Sequence, residues 1–334
     1  MPILFSDVTV VPMDGAPQVL EHAYVAVEGT KIASVGTEPP EGTFDRVVDG
    51  AGKVLLPGFV NAHTHLPMTL MRGYGGGCDL HTWLNQYIFP AEARLDSRAV
   101  AAGAGLGLAE MIASGVTCVA DMYMHTGTIA EQILEAGISA NLSCGGVYFG
   151  APEDFSPETC GDCRNQAALT EEWHGAGAGQ ILVDASVHGE YTSNPPLWRW
   201  MAEYAAEHRL GMHVHVSETQ SEHQASLERW GKTPIQALDG CGVWDCGRSL
   251  AAHCVYTTEE DWALMAEKGI SCVHNPWSNL KLGSGVAPIP AMMRAGVNVA
   301  LGTDGMSSHN SADLFSDIKL AAVLHNGVER DPMA

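Results

Sequence analysis

The chain has 334 residues, 46% of them apolar, and a formal net charge of −22, which allows one large domain or two with a substantial core. The strong negative charge disfavours nucleic acid and membrane surfaces as partners and suits a protein that acts on neutral or cationic small molecules. No apolar run reaches the length of a membrane span, the amino terminus lacks the pattern of a secretory signal, and nine irregularly spaced cysteines favour a cytoplasmic location.

The first 55 residues differ in texture from the rest of the chain. Short strand candidates alternate there with Gly, Pro and Asp turns, and Gly29-Thr30 has the composition of a hairpin turn. We therefore expect residues 1–55 to form a small antiparallel β unit. Its strands are predicted at residues 8–11, 22–27 and 31–35.

Beyond residue 53, apolar runs of strand length alternate with helical patterns. Eight such strands without a solenoid repeat predict an α/β fold, a (β/α)₈ TIM barrel over residues 56–334. The predicted strands are residues 54–65, 116–122, 138–144, 181–188, 210–218, 249–253, 270–275 and 297–304. The predicted helices include residues 98–114, 196–208, 221–230, 259–268 and 288–295. The glycines placed to cap helices are Gly115, Gly137, Gly211, Gly269 and Gly296.

The most informative motif is the His-x-His that ends the first barrel strand. Because side chains alternate along a strand, His63 and His65 project from the same side. Two neighbouring imidazoles at the end of a buried strand are costly unless a ligand binds them, and a divalent metal is the usual partner. The alternative is a pair of surface histidines on a loop.

Other predicted strands also end in side chains that bind metals or carry protons. One ends at His215 with Glu218 three residues later, another ends at His253, and the eighth ends at Asp304. Parallel barrels assemble their sites from the carboxyl ends of the strands, so these side chains are expected to converge. The set as a whole is specific, although no single member is.

These residue types support the chemistry of a hydrolytic metal site. Three imidazoles and a carboxylate, from His63, His65, His215 and Asp304, suit a borderline cation such as Zn²⁺ and leave a position open for water. Glu218 is placed to carry a proton. His253 is placed to orient the nucleophile, and Asp304 can serve both as ligand and as proton acceptor.

Two variants of this site are disfavoured by the sequence. A two-metal site commonly needs a lysine near the end of strand four, and residues 181–188 contain none, so one metal is expected. The zinc site of cytidine-type deaminases needs H-x-E followed by P-C-x-x-C. Here His188-Gly189-Glu190 follows Cys160-Gly161-Asp162-Cys163, which lacks the proline, and we interpret that cysteine pair as incidental. His213 is expected to pack behind the ligands.

Several motifs together resemble those of the amidohydrolase superfamily, in particular its methylthioadenosine/S-adenosylhomocysteine deaminase branch, which is related to chlorohydrolases and guanine deaminases. They are PGFVNAHTHLPMTLMRG, HVHVSETQSEH, AHCVY, HNPWSNLKLGSG and ALGTDGMSSHN. The resemblance implies a barrel with a composite β-sandwich to which residues 1–55 contribute. It also implies one Zn²⁺ or Fe²⁺, hydrolytic deamination of an aminated heterocycle such as a purine nucleoside, and an enzyme that can form a homo-oligomer.

By motif position, the resemblance assigns His63, His65, His215 and Asp304 as ligands and Glu218 and His253 as the catalytic pair. It matches Glu92 to an acid that meets ribose hydroxyls and His188 to a histidine that contacts substrate. The alternative for Glu92 is an ordinary acid on a helix surface.

The sequence departs from the family pattern in two places. No arginine follows strand three directly, and Arg164 is the nearest substitute. The family also continues past Ala334, so we expect a truncated barrel and sandwich in which strand eight and its neighbour lack their outer helix. The competing hypotheses are a deaminase or dechlorinase of free bases or triazines with the same fold, and a non-catalytic remnant that binds metal.

Overall fold

A computed structural model describes residues 1–15 and 18–333 and divides the chain into two compact units, Met1–Gly58 and Phe59–Ala334. Among these described residues, no helix combines the length and the apolar character that crossing a bilayer requires. The two units are described in turn.

The amino-terminal unit is a five-stranded sheet of mixed direction. β2 pairs antiparallel with β1 and β3, whereas β4 and β5 pair parallel to β1, so the expected purely antiparallel unit is wrong. The predicted hairpin turn is confirmed, since Gly29 adopts a positive φ of 60° between β2 and β3. The strands are β1 Ile3–Val10, β2 Leu20–Glu28, β3 Lys31–Gly36, β4 Arg46–Asp49 and β5 Val54–Leu55.

The second unit contains ten strand segments that form two parallel arcs, β15-β6-β7-β8-β9 and β10-β11-β12-β13-β14. Only Asp184 separates β9 from β10, and only Gly302 and Thr303 separate β14 from β15, so each pair is one interrupted strand that belongs to both arcs. Eight parallel strands result, and the predicted (β/α)₈ barrel is confirmed. The segments are β6 Phe59–His65, β7 Val116–Met122, β8 Ser139–Ser143, β9 Ile181–Val183, β10 Ala185–Gly189, β11 Met212–Val216, β12 Ser249–His253, β13 Ile270–His274, β14 Val299–Leu301 and β15 Asp304–Gly305.

One predicted strand begins at the wrong place. The first barrel strand was expected from residue 54, but Val54–Leu55 pairs with β1, and β6 begins only at Phe59. Pro57 and Gly58 separate the two segments, because proline cannot donate a ladder hydrogen bond and glycine weakens a strand.

Helices fill the connections between the strands, and all five of the helices predicted above are present. They are α1 Leu80–Trp83, α2 Phe89–Glu92, α3 Ser97–Ala113, α4 Thr126–Ala136, α5 Gly161–Trp173, α6 Ala176–Gly179, α7 Pro195–His208, α8 Gln220–Trp230, α9 Pro234–Asp239, α10 Glu259–Lys268, α11 Pro276–Lys281, α12 Ile289–Arg294, α13 Met306–His309 and α14 Leu314–Glu329. Short 3₁₀ or π turns occupy residues 66–71, 84–88, 152–154 and 190–192.

Gly211 is not the cap that the sequence predicted. Arg209 takes the left-handed conformation after α7, with φ of 57°. Gly211 instead lies in a tight contact, since a Cβ there would approach Asp184 Oδ1 to 2.5 Å and the Arg248 carbonyl oxygen to 2.8 Å. The glycine is therefore required by close packing and not by its backbone conformation.

The expectation that strand eight lacks an outer helix is also wrong. α14 follows strand eight, extends from Leu314 to Glu329, and packs against β14 and α11. At its first turn the Phe315 ring stacks on Phe59 of β6, with the ring centroids 6.1 Å apart. The helix therefore covers the strands at which the two arcs meet.

Candidate active site

Five side chains from the carboxyl ends of β6, β11, β12 and β15 converge on one buried point. They are His63, His65, His215, His253 and Asp304, which we call the ligand cluster. The Nε2 atoms of His65 and His63 lie 3.1 Å and 3.3 Å from Asp304 Oδ1. His215 Nε2 is 3.2 Å from His65 Nε2. One candidate ligand atom from each of His63, His215, His253 and Asp304 lies within 4.8 Å of the others.

Hydrogen bonds behind the cluster hold three imidazoles in one tautomer. In each ring Nδ1 faces an oxygen that only accepts, so Nδ1 carries a proton and Nε2 is the nitrogen turned toward the cluster. The acceptors are the Met122 carbonyl at 2.5 Å for His65, the His188 carbonyl at 2.6 Å for His215, and Asn279 Oδ1 at 2.8 Å for His253. Neutral imidazoles with a free Nε2 are the form that binds a metal.

His63 shows most directly that the cluster fits a cation. Its Nδ1 contacts His213 Nε2 at 2.8 Å, and His213 lies deeper in the barrel. Its Nε2 is buried and lies 3.3 Å from Asp304 Oδ1, but it completes no well-formed hydrogen bond among the described residues. Burial lowers the pKa of His63 to about 4, so the ring is neutral at pH 7. A buried, uncharged nitrogen without a partner is unfavourable unless a ligand occupies that position.

His65 differs from His63 in its charge. Burial lowers the pKa of His65, but the Asp304 carboxylate and the Met122 carbonyl outweigh burial and raise it to about 9. The proton on His65 thus offsets part of the carboxylate charge. A cation would replace that proton, because the nitrogen that binds a metal must be deprotonated.

Asp304 is oriented to offer one oxygen to the cluster. Its Oδ2 accepts hydrogen bonds from the hydroxyls of Ser278 at 2.6 Å and Ser308 at 2.8 Å, which leaves Oδ1 facing the histidines. Burial raises the pKa of this carboxyl, yet His63 and His65 hold it well below its usual value. Asp304 and His253 have positive φ angles of 60° and 75°. Such strained backbone is common at functional sites.

Glu218 lies beside the cluster in a position to exchange protons. It is buried, its Oε1 accepts the Ser284 hydroxyl at 3.1 Å, and its Oε2 is 3.7 Å from His253 Nε2. Burial raises the pKa of Glu218, although His253 opposes this. A carboxyl with a raised pKa beside a second proton carrier is suited to take up and release a proton.

Glu222 holds the turn that carries Glu218, and the sequence analysis missed it. Its two carboxylate oxygens accept the backbone N–H groups of Ser217 at 2.8 Å and Glu218 at 2.7 Å. Ser217 has a positive φ of 49°, so this turn requires support. The available signal was the acid at the first turn of α8, four residues past Glu218 in the quoted motif.

The cluster opens into a cavity of about 410 Å³. His188 and Glu92, both predicted to contact substrate, line it together with Glu218. Burial raises the pKa of Glu92, and the Tyr123 hydroxyl lowers it again in part. The walls are mostly aromatic and aliphatic, from residues that include Trp83, Leu84, Ile88, Phe89, Val147 and Tyr191. Such a cavity suits a flat, largely uncharged ring with a few polar groups.

Arg164 is not brought into this cavity. It is exposed on α5 and donates from Nη1 to the Glu158 carbonyl oxygen at 2.8 Å. The same helix presents Asp162 to the cavity instead. Two residues along an α-helix lie about 200° apart, so Asp162 and Arg164 cannot face the same side.

The sequence profile of the amidohydrolase family matches residues 54–334. This range includes every residue of the cluster and the whole barrel. The chain therefore belongs to the amidohydrolase family, the class of protein that the barrel and the converging histidines define.

Within this family, the chain is similar to several deaminases. The chain is 37% identical over 334 residues to a 5-methylthioadenosine/S-adenosylhomocysteine deaminase of Syntrophomonas wolfei, covering 100% of this chain and 76% of that protein. It is 40% identical over 315 residues to a 5′-deoxyadenosine deaminase of Methanothermobacter thermautotrophicus, covering 94% and 73%. Its fold matches the crystal structure of an adenosine deaminase from Xanthomonas campestris with bound zinc, with a TM-score of 0.91, 34% identity and coverage of 99% and 75%.

Proposed function

We propose that this chain is a metal-dependent hydrolytic deaminase of adenosine-like nucleosides, which replaces the ring amine by a carbonyl oxygen and releases ammonia. The observation that carries the proposal is the cluster of inward-facing Nε2 atoms and one carboxylate oxygen beside Glu218 in an apolar cavity. Similarity to deaminases of adenosine-like nucleosides along nearly the whole chain supports the same reaction.

We propose that His63, His65, His215 and Asp304 hold one divalent cation, Zn²⁺ in preference to Fe²⁺. The neutral imidazoles and the single free oxygen of Asp304 suit zinc, and the Xanthomonas relative was solved with zinc. When bound, the cation lowers the pKa of a water molecule toward neutrality and so supplies the nucleophile. One ring nitrogen of His253 also lies within 4.8 Å of the candidate ligand atoms of His63, His215 and Asp304. We assign His253 to the reacting atoms because its Nε2 also faces Glu218.

The residues around the cation move protons and orient the reacting groups. Glu218, through Oε2, takes a proton from the attacking water and delivers it to a ring nitrogen of the substrate. His253 Nε2, held in place by Asn279, orients the nucleophile. Asp304 accepts the second proton of the attacking water and passes it to the amine of the substrate. The amine leaves as ammonia once it has been protonated.

The cavity supplies the substrate contacts in this proposal. Glu92 accepts hydrogen bonds from the ribose hydroxyls, and His188 contacts the heterocycle. Phe89 and Tyr191 lie near His188, with ring centroids 6.3 Å and 6.2 Å from it, and provide apolar faces for a purine.

The direct test is ammonia release from adenosine, methylthioadenosine, S-adenosylhomocysteine, guanine and cytosine by protein reconstituted with Zn²⁺. We expect turnover of the adenosine-like nucleosides and little of the free bases. Preferred turnover of guanine or cytosine would instead support a base deaminase of the same fold. No turnover of any compound by zinc-loaded protein would contradict the proposal and favour a metal-binding remnant.

We further propose that the protein is cytoplasmic, that it has no nucleic-acid or membrane partner, and that it can form a homo-oligomer. The net charge of −22 supports the absence of nucleic-acid and membrane partners, since it repels polyanions and anionic lipid. All nine cysteines are free thiols in the structure, which fits a reducing compartment.

A further inference from the structure

A second cavity of about 430 Å³ lies next to the active-site cavity, beside α4 and α5. The two cavities share the lining residues Met124, Cys144 and Asp162. Among the described residues, none that lines the second cavity belongs to the ligand cluster. Asp162 therefore lies where the two cavities meet, away from the point at which the amine is replaced.

The Asp162 carboxylate is held in place at this junction. Its Oδ2 accepts the backbone N–H of Val147 at 2.8 Å, and its Oδ1 accepts the Asn165 amide at 3.4 Å. Burial raises the pKa of Asp162, and these two hydrogen bonds lower it again. Asp162 also lies in the first turn of α5, where the helix dipole favours negative charge. The Asp162 carboxylate is thus held in a fixed position on the wall that the two cavities share.

Other acidic side chains line the two cavities as well. Glu92, Glu218 and Asp304 line the first cavity, and Glu172 lines the second. The lining residues described for these cavities include no lysine or arginine. An anionic group near Asp162 would meet a carboxylate without a compensating cation, in an environment where water screens charge poorly.

We infer that Asp162 selects substrates by the charge of the 5′ substituent, admitting uncharged or cationic groups and disfavouring anionic ones. This inference rests on the proposed function. With the purine amine at the ligand cluster and the ribose at Glu92, the 5′ substituent is the part of the nucleoside left to reach the junction. An alkyl or thioether group crosses the apolar walls at little cost, whereas a carboxylate is repelled.

A matched series of 5′-thioadenosines tests the inference on the zinc-loaded enzyme. The 5′ sulfur carries 2-carbamoylethyl, 2-carboxyethyl or 2-aminoethyl, groups of similar size that are neutral, anionic and cationic. At low salt we expect kcat/KM for the carboxylate to fall below that for the amide by about tenfold or more, because two like charges repel across a short, poorly screened distance. The amine should react at least as well as the amide.

Asp162→Asn provides the specific test of the residue. The asparagine oxygen can still accept the Val147 N–H, so the cavity keeps its shape while the charge is removed. We expect the preference for amide over carboxylate to shrink about three- to tenfold and to depend less on salt. Asp154→Asn is the matched control, because it removes an exposed charge eight positions earlier that lines neither cavity.

An equal kcat/KM for the carboxylate and the amide in the unmodified enzyme would overturn the inference. So would a preference that Asp162→Asn leaves unchanged or that Asp154→Asn changes equally. If none of the compounds is deaminated, the proposed function fails instead. Calorimetric binding of the same three compounds then still decides the charge preference.

Discussion

At the scale of single residues, hydrogen bonds determine which atom of each side chain faces the ligand cluster. One of the two polar atoms is engaged in a hydrogen bond, so only the other is available. Asp304 offers only Oδ1 because two serine hydroxyls bind Oδ2. His65 and His215 offer only Nε2 because carbonyl oxygens bind Nδ1. Such hydrogen bonds fix the orientation of a ligand before the metal arrives, so less ordering is required on binding.

Glu218→Gln tests the proton carrier. The amide keeps the size of the side chain and the hydrogen bond with Ser284, but it cannot take up a proton. We expect full metal content and a kcat lower by about 10²-fold or more, the usual effect of deleting a general acid or base. Steady-state ammonia release together with elemental analysis measures both quantities. Ser284→Ala, which removes only the hydrogen bond to Oε1, should reduce kcat much less. A Glu218→Gln variant with near-normal kcat would move the role to Asp304.

At the scale of secondary-structure elements, the turn between β11 and α8 carries the proposed proton carrier Glu218. It directly follows the strand that carries His215. Glu222 is buried and accepts two successive N–H groups across a residue with positive φ. The helix that carries Glu222 begins at a Thr219 cap that accepts the Glu222 N–H. Position 218 is therefore set by the first turn of α8 as much as by β11.

Glu222→Gln should lower kcat while sparing the metal. Its single carbonyl can accept only one of the two N–H groups, and the amide places a donor against the other. The buried, unpaired donor should cost about 1–3 kcal/mol of folding stability. Glu228→Gln, an exposed change on the same helix, should alter neither stability nor turnover. Unchanged kcat and thermal stability in Glu222→Gln would show that the turn holds its shape without this clamp.

Gly211→Ala tests the close packing at the start of β11. The new methyl would lie 2.5 Å from Asp184 Oδ1 and 2.8 Å from a backbone oxygen, so the strand must shift. We expect a loss of about 1–3 kcal/mol, typical of overpacking. Gly327→Ala on α14 is the control, because its Cβ meets no other atom within 4 Å and alanine favours a helix. Equal unfolding midpoints for the two variants would contradict this account of Gly211.

The sequence predicts features that depend on regular strand geometry and on barrel topology. It does not predict features that depend on individual side-chain contacts. The convergence of His63, His65, His215 and Asp304 was predictable, because a strand places alternate residues on one face and a parallel barrel gathers the carboxyl ends. Arg164 was placed in the cavity by its position in the chain alone, and the phase of α5 turns it outward. The clamp by Glu222 and the serine pair on Asp304 depend on side-chain contacts that no periodicity specifies.

At the scale of the whole molecule, the amino-terminal sheet exposes an unusual number of apolar side chains. Ile32, Val47 and Val54 are 68%, 60% and 58% exposed, whereas Val8 and Val25 on the same sheet are buried. Burying such a side chain is worth about 1.5–3 kcal/mol, so its exposure forgoes stability and favours association. The chain is therefore expected to be prone to aggregation.

Replacing exposed valine by threonine tests this expectation. Val47→Thr, alone or with Ile32→Thr, should reduce light scattering on heating and leave kcat unchanged, because threonine suits a strand and removes apolar surface. The buried control Val25→Thr should lower the unfolding midpoint instead, since its hydroxyl would be buried. Scattering that is unaffected by the exposed changes would show that aggregation begins elsewhere.

The central claim is that one cation binds within the ligand cluster. Elemental analysis of purified, zinc-equilibrated protein tests it most directly in three forms: the unmodified chain, His215→Ala, and His208→Ala, which removes an exposed histidine on α7. We expect about one zinc per chain in the first and third forms. The second should lose nearly all its zinc after dialysis, because losing one of four ligands costs orders of magnitude in affinity. One retained zinc per chain in His215→Ala would contradict the account.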